Sequence, residues 1–443
     1  MKNDTPQKPP TPEADGYSTE AHLIYGQSHD PRWDYSHQLL PPISSSATFR
    51  LDTAQRGAQG FAEFGHTSNE VSFRTRAPIY IYDRLGEPNK DMLEENLACA
   101  EGAECAVTFA SGMAAISGIL GLLTGTGSEI VAHTTLYGCT YSLMTNWYPR
   151  HKIGVRFVDF TDPAAVRSAV TDATRVLYME SPVNPTLRLV DLKAIAEVAR
   201  EVNARRAPAD RLYTIVDSTF ASPFCQRPIS LGIDFVVHSL TKAICGFGTD
   251  IGGVVMGPRW SYDMLMLYRK DYGGVLPAKS AWPILVHGLP TLALRMRRMQ
   301  ETAMAVAEYL SGRPELECVR YPGLPGFPQA DLARAQMRDY DGNFAPGAMI
   351  YFIFKGAPAA ALRTAERFIN HVAEHAYCIT LAVSLGNIRT LIEHPGSMTH
   401  SAIPPEEQIA KGLDPGGVRL AIGLEKPADI IRDLEFSLAA LRG

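Results

Sequence analysis

Two short apolar runs in this sequence end in side chains with chemistry to offer. Phe235-Val-Val237 leads into Ser239, Thr241 and Lys242, and Leu212-Tyr-Thr-Ile-Val216 leads into Asp217-Ser-Thr219. Hydroxyls and a lysine at the end of a buried strand suit a phosphate and an amine-reactive carbonyl. A desolvated lysine amine is more often neutral and nucleophilic than a surface one. A carboxylate at a strand end is costly unless it faces a cation. The protonated pyridine nitrogen of pyridoxal phosphate (PLP) is such a cation, and a strand-end Asp with a later Lys is a common way to hold that cofactor. Each residue alone has a plainer reading, Lys242 as a loop lysine and Asp217 as the N-cap of a turn. Together, each ending a strand, they favour the cofactor.

The elements that must position these residues are legible as well. Ala106-Val-Thr-Phe109 reads as a strand followed at once by Ser111-Gly-Met-Ala-Ala-Ile-Ser-Gly118, a small-residue turn into a helix. Such a turn leaves free N–H groups at a helix start, where phosphate is favoured; a packing turn is the alternative. Strand-like runs also cover residues 129–132, 155–160, 175–179, 213–216, 235–237 and 253–256. Helical patterns separate most of them, as at 191–200, and Met92, Leu93, Leu97 and Ala100 recur at helical spacing. Seven short strands in this alternation predict an α/β domain built on a mainly parallel sheet covered on both faces. Its ligands should collect at the carboxyl ends of the strands. Asp217, Ser239, Lys242 and the Ser111-Gly112 turn all fall there.

A long helical pattern around 285–310, kinked at Pro290, then leads to strand-like runs at 349–354, 377–383 and 418–422. Helices at 359–372 and 429–441 flank them, which predicts a smaller C-terminal α+β domain. The chain thus divides into a disordered tail (1–20), an N-terminal arm and loop (21–79, with a surface loop at 65–79), a large domain (80–280), and a linking helix with the small domain (281–443).

Composition bounds the function classes. At 443 residues the chain exceeds one ordinary core, so two domains are expected. Hydrophobic content of 46% with 20% charge describes a soluble globular protein. A net charge of −5 without a long basic run argues against nucleic acid or a membrane surface as partner. No apolar stretch is long enough to span a bilayer, and the proline-rich start lacks the apolar core of a signal peptide. Seven cysteines without a Cys-x-x-Cys pair fit reduced thiols in a cytoplasm better than a disulfide framework, and no metal site is expected.

Several motifs in a fixed order now resemble the PLP-dependent enzymes of cysteine and methionine metabolism, the trans-sulfuration family. They are Tyr82-Asp-Arg84, Ser111-Gly-Met113, Thr135-Leu-Tyr-Gly-Cys-Thr140, Glu180-Ser-Pro-Val-Asn-Pro-Thr186, Val216-Asp217 and Ser239-Leu-Thr-Lys242. Ser384-Leu-Gly386, His394-Pro-Gly-Ser-Met-Thr-His400 and Val418-Arg-Leu420 complete the series, and the resemblance covers roughly residues 37–441. It implies the aspartate-aminotransferase-like fold (PLP fold type I). It also implies that Lys242 binds the cofactor covalently and shuttles protons, while Asp217 keeps the pyridine nitrogen protonated. Tyr137 would stack on the ring and act as acid toward the leaving group, and Asn184 would sit by the phenolic oxygen. Gly112, Met113, Ser239 and Thr241 would hold the phosphate. Tyr82 and Arg84 would reach the phosphate of a neighbouring subunit, which makes a dimer the smallest active unit, with dimers pairing into a homotetramer. Arg419 would clamp the substrate carboxylate, with Ser384 beside it. A guanidinium in an apolar strand calls for a carboxylate partner on physical grounds too.

Within the family, Cys139 near Tyr137 and the pair Lys270-Asp271 resemble methionine γ-lyase, with Cys139 lining the pocket for the γ-substituent. The expectation is elimination of a thiol from the γ-carbon of methionine or a homocysteine-like amino acid. The Gly246–Gly253 segment looks closer to sulfhydrylases, so γ-replacement on an O-acylhomoserine, as in a sulfhydrylase or cystathionine γ-synthase, stays open. So does a non-catalytic PLP-binding protein, though such a scaffold has no need of Lys242, Tyr137 and Arg419 together. Three departures stand out: Phe247 replaces a usual histidine, Glu87-Pro-Asn89 replaces Asn-Pro-Thr, and 65–79 exceeds the usual connection.

Overall fold

The computed structural model describes residues 16–26, 38–64, 78–401, 405–410 and 412–442. Most of the expected tail and most of the 65–79 loop lie outside that set. The described part of the tail is helical at its end, because Ser18 caps a helix over Thr19–Tyr25 by accepting from the Ala21 N–H.

The large domain is built on seven strands: β1 (Cys105–Phe109), β2 (Glu129–His133), β3 (Gly154–Val158), β4 (Thr174–Glu180), β5 (Tyr213–Asp217), β6 (Phe235–Ser239) and β7 (Gly253–Gly257). Their order across the sheet is β1-β7-β6-β5-β4-β2-β3. β7 runs antiparallel to both neighbours, and the remaining pairs are parallel. Successive side chains go to opposite faces, and both faces are buried except at the edge strand β3. Val131, Leu177, Val216 and Val236 join one apolar cluster, and Ile130, Val176, Ile215 and Phe235 join the other. Helices cover these faces. Leu192–Asn203 buries Leu192, Ile195, Val198 and Ala199 after an Asp191 N-cap. Pro88–Glu101 buries Met92, Leu93, Leu97 and Ala100.

The replacement of Asn-Pro-Thr at 87–89 has a local explanation. Glu87 is the N-cap of that helix and accepts from the N–H groups of Asn89 and Lys90 at 2.8 and 2.7 Å. Burial pushes its carboxyl up to about 7.

The long helical pattern resolves into two pieces. A helical stretch through Pro283 and a π-helical turn (Ile284–Gly288) precede the helix Leu292–Ser311, and Pro290 sits in the break between them. The small domain has five strands where three were expected. They are β8 (Leu316–Arg320), β9 (Met349–Phe354), β10 (Ile379–Leu381), β11 (Thr390–Glu393) and β12 (Gly417–Ala421), in the order β10-β11-β12-β9-β8. The helices Pro358–His375 and Pro427–Ala439 flank them. No helix among the described residues is long and apolar enough to cross a membrane.

Candidate active site

The topology brings the chemistry to one edge. β1, β6, β5, β4 and β2 all end there, and β7 begins there, with Gly253 paired to both Phe109 and Ser239. An open cleft of about 750 Å³ lies at that edge, bounded on its far side by Ser384 and Arg419 of the small domain.

Asp217 ends β5 beside Glu180, its partner in the parallel register at the end of β4. Its Oδ1 accepts from the Thr219 N–H at 3.0 Å. Burial raises its pKa, and a cation set against it would reverse that shift. Lys242 faces it across the cleft and donates from Nζ to Ser384 Oγ at 2.8 Å. Burial lowers the amine's pKa, and the charge of Arg419 lowers it further.

Ser111 caps the helix Gly112–Leu123 by accepting from the Ala114 N–H at 3.1 Å, and the Ala115 N–H bonds to the Ser111 carbonyl. The N–H groups of Gly112 and Met113 thus have no partner among the described residues. Gly112 packs so close to β6 that a Cβ there would meet Ser239 Cβ at 3.0 Å. The Ser239 N–H is held by Thr219 Oγ1 at 2.9 Å. Thr241 is less free than expected: its hydroxyl donates to the Gly252 carbonyl at 3.3 Å and accepts from the Gly252 N–H at 3.1 Å.

Tyr137 opens the short helix Gly138–Ser142, and its N–H donates to Glu180 Oε1 at 2.6 Å. Burial, with Cys139 bonded beside it, drives its phenol well above the usual tyrosine range. The phenol is therefore protonated at neutral pH and can donate. Cys139 is exposed on the cleft wall, and all seven cysteines are free.

Arg419 on β12 donates from Nη1 to Asn184 Oδ1 at 3.0 Å and from Nη2 to the Ser384 carbonyl at 2.9 Å. Ser384 therefore links the amine to the guanidinium, one through its hydroxyl and the other through its carbonyl. It does so from a φ of 96°, a strained conformation for a non-glycine residue of the kind that clusters at functional sites. Arg419 Nε is buried without a partner among the described residues.

Tyr82 and Arg84 do not reach this cleft. Arg84 donates to the Lys270 carbonyl at 2.8 Å, and its guanidinium lies 5.6 Å from the Tyr82 ring centre. Lys270 in turn pairs with Asp271 at 3.2 Å. These four residues form one surface cluster on their own protomer.

Two carboxylates of the site were not singled out from the sequence. Glu180 stands in the quoted Glu180–Thr186 motif, and the cost of burying a carboxylate at the end of an apolar strand was the available signal. Glu393 is the carboxylate that the buried Arg419 called for; its strand has only four residues between Arg389 and His394 and left no clear pattern.

A desolvated lysine opposite a strand-end carboxylate, with free helix amides beside a serine, fits PLP, and on this sheet topology defines a PLP enzyme of fold type I. The chain belongs to the Cys/Met metabolism PLP-dependent enzyme family, whose profile matches residues 21–439. It is 37% identical to L-methionine gamma-lyase of Pseudomonas putida over 428 residues, covering 96% of this chain and 98% of the relative. It is 40% identical to L-methionine gamma-lyase of Fusobacterium nucleatum subsp. polymorphum over 404 residues, covering 90% and 93%. Among solved structures, cystathionine gamma-lyase from Lactobacillus plantarum complexed with L-serine matches with a TM-score of 0.80 and 31% identity, covering 96% of this chain and all of that one.

Proposed function

We propose that the protein is a lyase that removes a thiol from the γ-carbon of methionine or a homocysteine-like amino acid, leaving a 2-oxo acid and ammonia. The observation that carries this reading is the Lys242–Ser384–Arg419 relay, which sets an amine and a guanidinium one residue apart. That spacing suits the α-amino and α-carboxylate groups of one amino acid. The relatives named above act on such substrates.

In this reading Asp217 faces the pyridine nitrogen and Asn184 the phenolic oxygen. The Gly112 and Met113 amides hold the phosphate together with Ser239 and Thr241, which keeps its tie to Gly252. The bound cofactor supplies an electron sink for charge developing at the substrate's α- and β-carbons. Lys242, whose amine burial keeps readily deprotonated, takes the α-proton. Tyr137 covers the ring and gives its proton to the departing sulfur, for which its raised pKa keeps it charged with hydrogen. Arg419 keeps an unpartnered Nε for the carboxylate, which reaches that buried nitrogen once the groups covering it move aside, so that two parallel bonds form from one guanidinium edge. Cys139 lines the space for the γ-substituent.

Tyr82 and Arg84 complete the phosphate site of a second copy, since they lie together on the surface away from their own cleft. Lys270 and Asp271 accompany them. The active unit is then a dimer, and dimers pair into a tetramer. A cytoplasmic setting accords with the free cysteines. Steady-state assays of the PLP-loaded protein on a panel of sulfur amino acids and homoserine esters test the reading. Turnover confined to homoserine esters supplied with a thiol or sulfide would replace elimination by γ-replacement.

A further inference from the structure

Glu393 lies directly across from Arg419 in the β11–β12 ladder. Its Oε1 stands 3.0 Å from Arg419 Nη1, and the two side chains are 1% and 3% exposed. Thr399 Oγ1 donates to the same oxygen at 2.9 Å, and Oε2 has no partner among the described residues. The guanidinium has five N–H donors. Glu393 and Asn184 occupy Nη1, the Ser384 carbonyl takes one hydrogen of Nη2, and Nε remains unpaired. A carboxylate can therefore pair on the Nε side without displacing Glu393 once the groups that bury Nε move aside.

Resting on the reading of Arg419 as the seat of the α-carboxylate, we propose that Glu393 is an affinity-setting counter-ion of that seat. It stays in place when the amino acid binds and neutralises the guanidinium beforehand, which weakens the hold on the α-carboxylate. Without it, a buried positive charge would grip substrate and 2-oxo acid product alike, because both carry the same carboxylate. An attenuated seat releases product.

Glu393 acts among several charged and titratable groups. Arg419 comes from β12, Lys242 from the segment after β6, His394 and His400 from its own loop, and Tyr137 from the helix after β2. Burial raises the pKa of Glu393, and Arg419, Thr399 and Lys242 oppose that rise. The seat is thus most positive when Glu393 is protonated.

The test is calorimetric titration of the PLP-loaded protein with L-norleucine, which has no thiol to lose, and with n-pentylamine, the same molecule without its carboxylate. Glu393→Gln keeps an oxygen for Arg419 Nη1 and removes the charge. It should tighten norleucine by roughly tenfold and leave n-pentylamine unchanged. Equal or weaker norleucine binding overturns the proposal. Arg419→Gln separates the two claims: selective loss of norleucine binding supports the seat, and an equal effect on both ligands, or on neither, removes the seat and the proposal with it. If Arg419→Gln is selective while Glu393→Gln does not tighten norleucine, the counter-ion proposal alone falls. Should Glu393→Gln fail to fold, the unaltered protein decides. Its norleucine-to-pentylamine affinity ratio must rise on acidification, and a flat ratio overturns the proposal.

Discussion

Replacing Gly253 by alanine should damage cofactor binding by moving a turn that the new methyl group strikes. Gly253 opens β7 against the end of β1. A Cβ built there stands 2.2 Å from the Ser111 carbonyl oxygen and 2.8 Å from Gly112 Cα. Both obstacles are backbone, so no rotamer relieves the clash. The Ser111-Gly112 turn must retreat by about an ångström, carrying the free N–H groups of Gly112 and Met113 with it. Overpacking of this kind costs about 1–3 kcal/mol of stability. A misplacement of about 1 Å at a binding group can cost roughly a hundredfold in function. Stripping the protein of PLP and titrating the cofactor back by absorbance should show affinity lowered between about tenfold and a hundredfold. Denaturant unfolding of the apoprotein reads the stability loss separately. Gly125, where an added Cβ meets nothing within 4 Å, is the control. Its alanine variant should stay within about 0.5 kcal/mol of the original and bind PLP normally. Unaltered PLP affinity in Gly253→Ala would refute the assignment of this turn to the phosphate.

Lys242→Ala should lose the yellow absorbance of the loaded protein, and borohydride should fix the cofactor to the peptide containing Lys242; label on Lys270 would overturn the assignment. Mixing Arg84→Ala with Lys242→Ala protein should restore part of the activity, because mixed dimers contain one intact site. No recovery, with mixed dimers shown to form, would place Arg84 outside the partner's site. Burial holds His133, His238 and His400 down to about 4, 3 and 4, so each is neutral in the folded protein. A depressed histidine contributes stability that is full above the unfolded value and lost as pH falls through the folded one. For His133 the loss spans pH 6.5 down to about 4 and reaches about 3 kcal/mol. Denaturant unfolding across that range should show a shallower decline for His133→Asn, and parallel curves would refute the linkage.

The large domain was legible because its strands are short, apolar and separated by periodic helices. Buried parallel strands such as Phe235-Val-Val237 announce themselves by composition, and the residues at their ends follow from topology. The small domain was less legible. β8 reads Leu-Glu-Cys-Val-Arg, with only Leu316 buried, Glu317 exposed and the other three half-buried, and β11 is only four residues long, so neither makes a contrast with its flanks. Arg419 shows where reasoning from desolvation went further than pattern. A buried guanidinium demanded a carboxylate, and the ladder supplies Glu393 directly opposite. What no local pattern could reveal is Ser384 linking Lys242 to Arg419, since the three residues come together only through the packing of the two domains. Thr241 illustrates the converse. Its place in a motif suggests a free hydroxyl, while the fold ties it to Gly252.

Under the proposed roles elimination and replacement would use the same residues, and they differ in what must be added. The most direct measurement is the yield of 2-oxobutyrate and ammonia from L-methionine or L-homocysteine given to the PLP-loaded protein with no second substrate. The account predicts one 2-oxobutyrate and one ammonia for each methanethiol released from methionine or each hydrogen sulfide released from homocysteine. Silence on every thiol-bearing amino acid, with consumption of O-acetylhomoserine once sulfide is supplied, would contradict it.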